Sequence, residues 1–378
     1  MSHVVMLSGV RGEGGATTEY ELIGSPTRYK ELAIRRSVFR CDPTTVNIAA
    51  MGRGRWDGWG TNFNRHLAAQ AALGEMVERC SSSPDRPAIC ADNTLAGYSL
   101  SRGESVCVPA GRVYYGQRSR SCGVDGHLQH CDSSGAASQV NSWPAIEAAW
   151  LEFFERQCFV YSWLTRTPGR VVYHTTPAKS QRRDLTEYFD EVFVIDISLH
   201  PAVCVALVLG FGQRFIGIGL GSHWRTTRAI DAAFREMFGQ VSYYAPWLLG
   251  RRADLRQHTE YVITDVYARN VYENYTPLTF KKAMDYLVQG QSRNHSNVSA
   301  GNGSLQTVLE VCRAIHVDPI VVLVPGNFPN LPHRVVRVTA DGGYPSMRCD
   351  LFQPEDFAIS HHNGATSFPN RGVLVPFP

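Results

Sequence analysis

No apolar run in this 378-residue chain approaches the roughly eighteen residues that a membrane-spanning helix needs. Its start, MSHVVMLSGVRGEGG, lacks the apolar core and cleavage site of a secretory signal. Both absences predict a cytoplasmic protein without membrane attachment. Charge of one sign is also scarce. With 37 basic and 34 acidic residues the formal net charge is +3, which gives no electrostatic case for nucleic acid or an anionic surface. The ten cysteines include no CxxC pair, which speaks against a zinc site or a disulfide framework and for reduced thiols, several of them on buried faces. Cys122 and Cys131 flank His127 and His130, but in a Gly/Ser-rich stretch that reads as a loop. GVRGEGGATT has no Lys followed by Ser or Thr where a phosphate cradle requires them, so it reads as a turn. No tandem repeat, heptad or charge block appears. A chain that is 44% hydrophobic and 19% charged is an ordinary globular protein able to bury a large core.

Against that background one stretch stands out, Ala145 to Trp163, AIEAAWLEFFERQCFVYSW. Ile146, Trp150, Leu151, Phe153, Phe154, Cys158, Phe159 and Tyr161 cover every direction of a helical wheel, which predicts a buried helix. Glu152, Glu155 and Arg156 sit in the middle of it. Burying a carboxylate costs several kcal/mol even after relaxation, roughly, so cations, counter-charges or a polar cavity must lie beside them. The spacing recurs in LGEMVER, where Glu75, Glu78 and Arg79 match Glu152, Glu155 and Arg156. Residues three apart share a helix face, so each copy projects two carboxylates side by side. Two such helices facing each other would enclose four carboxylates with two arginines nearby, a ligand set for hard divalent cations, and Mg2+ brings phosphates with it. Two plainer readings compete. Leu73, Met76, Val77 and Cys80 give the first copy the pattern of a solvated amphipathic helix, and a structural ion-pair network would account for the second.

In chain order the sequence predicts a strand VVML, a glycine loop, a loop from Cys41 to Trp59, and the first acidic helix capped by Thr61 or Asn62. A Ser/Pro linker follows, then a hairpin turning at Arg102-Gly103, and Pro144 at the start of the buried helix. Three or four β-rich runs precede GIGLGSH and a third helix with Glu236 at the border of its apolar face. A helix at Phe280 to Val288, a disordered tip at Gln289 to Ser304, the helix LQTVLEVCRAIH and the strands IVVLV and HRVVRVT complete the chain. Without regular βαβ alternation the fold class is α+β with mixed β-sheets.

These residues, in this order over about 55 to 378, resemble the YcaO family, and within it the cyclodehydratases of azoline-containing ribosomal peptides. The resemblance is carried by LGEMVER, GYSLSRGESVCVPAGRVYYG, SSGAASQVNSWPAIEAAWLEFFER, GIGLGSH with the Glu236 helix, the strands IVVLV and HRVVRVT, and the proline-rich end. The ending VPFP resembles in particular the stand-alone YcaO subunits of azole-forming microcin synthetases.

The resemblance implies a YcaO-type fold in which acidic helices surround ATP and Mg2+, with residues 1–40 as an N-terminal extension and 41–378 as the YcaO domain with its proline-containing tail. Glu75, Glu78, Glu152, Glu155 and Glu236 would hold metal, and Arg79, Arg156, Glu75 and Glu152 would bind ATP. The Pro378 carboxylate would act as catalytic base, oriented by Pro376. The implied reaction phosphorylates backbone amide oxygens of a precursor peptide so that Cys, Ser or Thr close into thiazoline or oxazoline rings; thioamide or amidine formation, or a non-catalytic scaffold role, are the alternatives. The implied partners are an E1-like leader-binding subunit, an FMN-dependent dehydrogenase and the ribosomal precursor peptide, in a hetero-oligomer that could contain a homodimer, without nucleic acid. The chain departs from the family pattern at Ala71, Pro144, Ala148, Ala232 and Gly239, where a serine, a carboxylate, an amide, an arginine and a glutamine are usual. Glu147, Arg228, Arg235 and Gln240 lie nearby, out of register.

Overall fold

The computed structural model describes residues 57–82, 93–115, 131–175, 188–213, 215–250, 266–290, 301–326 and 332–377, together with strands at 7–9, 18–21, 28–35 and 44–50. Among the described residues there are three antiparallel sheets. The first is formed by β1 (Leu7–Gly9), β2 (Thr18–Glu21), β3 (Arg28–Arg35), β4 (Thr44–Ala50) and β5 (Asp57–Asn62), in that order. The expected loop from Cys41 to Trp59 is overturned at 44–50 and 57–59, which β4 and the start of β5 occupy, and residues 41–43 and 51–56 lie outside the described residues. β4 pairs with β3 across residue 40. Its glycines suggested a loop, but in β5 they serve close packing, as described below.

Asn64 caps α1 (Arg65–Ser81), its side chain accepting the N–H groups of His66 and Leu67. The cap thus falls two or three residues after Thr61 and Asn62, which remain in the strand. The predicted hairpin forms as β6 (Thr94–Ser99) and β7 (Glu104–Pro109), with Gly103 at φ +68 supplying the left-handed turn residue. Next come β8 (Ala136–Gln139) and α2 (Ser142–Thr165), whose first turn carries Pro144.

The second sheet, in the order β12-β11-β10-β9, uses β9 (Arg170–Thr175), β10 (Glu191–Asp196), β11 (Cys204–Phe211) and β12 (Ile216–His223). The helix α3 (Thr226–Gly250) follows directly. A helix that the polar sequence hid, α4 (Val266–Asn274), precedes α5 (Pro277–Met284) and the 3-10 turn Asp285–Gln289. Of the disordered tip expected at Gln289 to Ser304, residues 291–300 lie outside the described residues; Gly301 donates to the Ala202 carbonyl, and Ser304 caps α6 (Leu305–Ala314). β13 (Asp318–Val324) and β14 (Arg334–Asp341) join the third sheet, β7-β6-β13-β14-β8.

α2 is the hub of this arrangement. One core contains Phe154, Phe159 and Trp163 of α2 with Val205, Leu207 and Ile218 of the second sheet and Val336 and Val338 of the third. α1 covers the other face of the third sheet, packing on Leu95, Val108, Ile320 and Val335. α3 covers the other face of the second sheet, packing on Val192, Val194, Ala206 and Val208. A helix with sheets on both sides needs apolar residues all round, as α2 has. Each fully buried large side chain contributes about 1.5–3 kcal/mol. Among the described residues no helix is long and apolar enough to cross a membrane, and no disulfide forms: six cysteines are free and buried, and Cys107 is free and exposed.

Candidate active site

Two strand–helix units built alike flank the site. In β5, Gly58 and Gly60 lie so close to α1 that an added Cβ would stand 2.1 Å from the Ala72 carbonyl oxygen and 2.0 Å from that of Ala68. In β12, Gly219 and Gly221 meet α3 in the same way, 2.1 Å from the Ala233 oxygen and 2.3 Å from that of Ala229. Between each pair of glycines one backbone N–H donates to a helix glutamate sixteen residues on. Trp59 donates to Glu75 Oε2 at 2.6 Å, and Leu220 to Glu236 Oε2 at 2.7 Å. The second oxygen of each carboxylate faces an arginine: Glu75 Oε1 lies 2.5 Å from Arg79, and Glu236 Oε1 lies 3.5 Å from Arg156. The motif GxG followed by Glu-Met thus occurs twice at one spacing. It is an internal similarity too sparse in identities to read as a tandem repeat.

α2 supplies the other wall. Glu155 is only 6% exposed. Arg156 reaches Glu155 through Nε at 3.6 Å and Glu236 through Nη2 at 3.5 Å, with the Met347 sulfur 3.8 Å from Nη1 and the Phe377 ring centroid 4.7 Å from its guanidinium carbon. From α1, Glu78 accepts a hydrogen bond from Tyr115 Oη at 3.2 Å.

These carboxylates sit among one another's charges. Burial, then Glu75, pushes Glu78 up to about 7, against the pull of Arg79 and Arg337. Burial, then Glu78, holds Glu152 well above the usual range. Burial raises Glu155 to about 7, although Arg156 opposes it, with Glu236 adding to the rise. Burial also raises Glu236, against Arg156, and Glu75 adds a small part. Glutamates from α1, α2 and α3 therefore form one connected acidic cluster that is short of positive charge. The solvated-helix reading of α1 fails for Glu78, whose carboxylate faces inward.

Two arginines beside the cluster keep unused donors. Arg156 Nε has no hydrogen-bond partner, and neither do Nε and Nη1 of Arg337 on β14, which is 2% exposed. Carboxylates that outnumber the cations beside them, next to guanidinium groups with unused donors, fit a ligand that carries both signs, a phosphate chain with its divalent metal. Among the described residues no three Asp, Glu, His or Cys side chains converge closely enough to hold a metal by themselves. That suits Mg2+, which takes one or two carboxylates and completes its shell with phosphate oxygens and water.

The structure thus gathers Glu75, Glu78, Arg79, Glu152, Glu155, Arg156 and Glu236 at one place. Of the out-of-register residues, Glu147 is committed to the Trp224 indole N–H at 2.6 Å. A side chain longer than that of Gly239 would meet Thr61, whose Oγ1 would stand 2.7 Å from an added Cβ. Pro376 and Phe377 are buried, and the tail is held by the Asn270 amide donating to the Val375 carbonyl at 3.2 Å. Pro378 lies outside the described residues, as do Cys122, His127 and His130. Sequence reasoning missed Arg337, Tyr115 and Asp132. Asp132 is a buried acceptor for Tyr267 Oη and the Met347 N–H, both at 2.8 Å.

The family model described as YcaO cyclodehydratase, ATP- and Mg2+-binding, matches residues 83–343. Glu152, Glu155, Arg156, Glu236 and Arg337 fall inside that span, and α1 with its acidic motif precedes it. Among solved structures, the YcaO protein of Methanopyrus kandleri bound with AMPPCP and Mg2+ is similar at a TM-score of 0.58 and 18% identity, over 83% of this chain and 86% of that one. A chain of the E. coli microcin synthetase McbBCD complex with pro-MccB17 bound is similar at 0.69 and 16% identity, over 94% of this chain and 98% of that one. A heterocyclase in complex with substrate and cofactor is similar at 0.59 and 17% identity, over 92% of this chain and 54% of that one. Comparison with curated protein sequences returned no match. With its sheets and helices arranged as in these structures, and more than half of its length matched by the family model, the chain belongs to the YcaO family, whose members bind ATP and Mg2+.

Proposed function

We propose that this protein is the ATP-dependent cyclodehydratase subunit of a peptide-modifying synthetase, converting Cys, Ser or Thr of a ribosomal precursor peptide into thiazoline or oxazoline rings. The observation that carries the reading is the acidic cluster of Glu75, Glu78, Glu152, Glu155 and Glu236 set against arginines with unused donors. Similarity of fold to a microcin synthetase chain and to a heterocyclase supports it.

A Cys, Ser or Thr side chain that closes on the preceding carbonyl carbon leaves an oxygen that departs poorly and mostly reverts. ATP with Mg2+ supplies the phosphoryl group and the charge neutralisation that make that oxygen a leaving group. The chain's own residues have three tasks. Mg2+ would be held by glutamates of the cluster Glu75, Glu78, Glu152, Glu155 and Glu236, one or two to each ion, with Glu75 and Glu236 each fixed through one oxygen by a strand N–H. Arg79 and Arg156 contact phosphate, and Glu75 and Glu152 line the nucleotide. A base must take the protons of the nucleophile and the amide. We assign it to the Pro378 carboxylate, because Phe377 before it lies on the Arg156 guanidinium and Pro376 stiffens the approach. In this reading residues 41–378 form the catalytic domain and residues 1–40 brace it through β3.

The expected partners are an E1-like subunit that binds the leader of the precursor and an FMN-dependent dehydrogenase that oxidises azolines to azoles, in a hetero-oligomer. The test is reconstitution with the E1-like partner and the Cys/Ser/Thr-rich precursor. Each water lost from the peptide should be matched by one phosphate released, and a product carrying thioamide or amidine groups would replace the azoline assignment.

A second reading, a scaffold subunit without ATP turnover, is favoured by Gly239, beside which Thr61 already stands, and by the commitment of Glu147 to Trp224. Absence of Mg-ATP binding in the presence of the partner would select it.

A further inference from the structure

Arg337, one of the two arginines with unused donors, is given no task in the reading above. It lies in β14, between Val336 and Val338, opposite Ala136 of β8 and Val322 of β13. Its cross-strand neighbours Val322 and Ala136, which share its face of the sheet, are 0% and 2% exposed. A buried arginine normally lays its planar fork on a carboxylate. Here Nε and Nη1 donate to nothing. Yet charged and titratable groups surround it from four segments: Cys131 with Asp132, Tyr115, Glu152 of α2 and Glu78 of α1.

Asp132 and Tyr115 are already engaged, and Glu78 and Glu152 act on Arg337 through charge without a hydrogen bond to it. Asp132 Oδ2 receives Tyr267 and Met347, and Oδ1 receives the Ser134 N–H at 2.9 Å. Tyr115 turns its hydroxyl toward Glu78. The guanidinium is therefore held in place by packing while its donors stay open. A planar fork with open donors suits an oxyanion with several lone pairs, and phosphate is the anion whose metal the adjacent Glu78 and Glu152 would hold. Arg156 serves the other part of the cluster, Glu155 and Glu236.

We propose that Arg337 is a phosphate-contacting residue of the site, its Nε and Nη1 donating to a phosphate oxygen of the bound nucleotide on the Glu78 and Glu152 side. This rests on the reading of the site as one for ATP and Mg2+.

The test is calorimetric binding of a non-hydrolysable ATP analogue with Mg2+ to wild type, Arg337→Met and Arg337→Lys, alongside the melting temperature of each without ligand. Arg337→Met should weaken binding about ten- to a hundredfold, the range of a lost charge-assisted hydrogen bond. Its ligand-free melting temperature should not fall, because no hydrogen bond is lost. Arg337→Lys, which keeps the charge without the fork, should recover only part of the affinity. If both variants bind the analogue as tightly as wild type, the proposal falls and the reading of the site stands. If Arg337→Met loses ligand-free stability and Arg337→Lys restores stability and affinity in full, Arg337 is a structural counter-charge and the proposal is overturned. If wild type does not bind the analogue, the reading of the site fails and this proposal fails with it.

Discussion

Glu75 and Glu236, on different helices, accept backbone hydrogen bonds of nearly equal length, 2.6 Å from Trp59 and 2.7 Å from Leu220, each donor lying between two strand glycines pressed against the helix. The equivalence separates two functions of one carboxylate, acceptor and charge. Glu236→Gln keeps an acceptor for the Leu220 N–H and removes the charge, so it should leave thermal stability unchanged or higher and abolish Mg2+-dependent nucleotide binding. Glu236→Ala leaves that N–H unsatisfied and should also destabilise the fold, by about 1–3 kcal/mol. Denaturant melts paired with calorimetry check both, and equal stability of the two variants would refute the hydrogen bond's contribution.

The close approach of strand to helix makes a second prediction. A methyl group at Gly219 would stand 2.1 Å from the Ala233 carbonyl oxygen, a backbone atom that cannot rotate away. Gly219→Ala should force α3 off β12 and cost at least about 2 kcal/mol. Gly364, near whose added Cβ nothing lies within 4 Å, shows no such conflict with neighbouring atoms. Comparative melting of Gly219→Ala and wild type is the measurement, and a loss below about 1 kcal/mol would mean that the helix yields easily.

The acidic cluster should reveal itself in the pH dependence of stability. Glu78 and Glu155 titrate near 7 in the folded protein, above the ordinary 4.5 that they regain on unfolding. Between these values the folded state binds more protons than the unfolded one. Stability from this source is therefore fully present below about 4.5, declines as pH rises, and is gone above about 7. Bound Mg2+ favours the ionised carboxylates, so binding of Mg2+ with nucleotide near pH 6.5 should release protons. Calorimetry in two buffers of different ionisation enthalpy detects the release, and identical heats in both would contradict it.

The tail supports a fourth prediction. Removing Phe377 together with Pro378 would not leave the fold intact, because Phe377 is 1% exposed and its ring lies 5.4 Å from that of Phe159. Phe377→Ala should cost about 3–5 kcal/mol. Deleting Pro378 alone isolates the chemistry. The melting temperature should be unchanged, heterocycle formation should be lost, and mass spectrometry of the peptide reads the outcome; full product from this deletion removes the base from the tail.

The acidic core was legible in the sequence because Glu152, Glu155 and Arg156 interrupt a helix that is apolar on every side, and only a buried polar site makes sense of that. The N-terminal strands were not, because Gly58 and Gly60 carry the letters of a loop while acting as contact surfaces for Ala68 and Ala72. Arg337 escaped notice since alternation in HRVVRVT suggests a charge pointing to solvent. β14 is instead buried on both faces between α1 and α2, and a strand of that kind has no solvent side. α4 was hidden by polar composition, its four buried residues being two tyrosines, an alanine and a valine.

The two glycine clamps have a mechanical consequence. Helices seated on bare backbone have little room to slide or tilt so that their like charges could drift apart, and the repulsion is relieved by protons taken up on the carboxylates. A cation exchanges for those protons on a scaffold that need not rearrange to receive it.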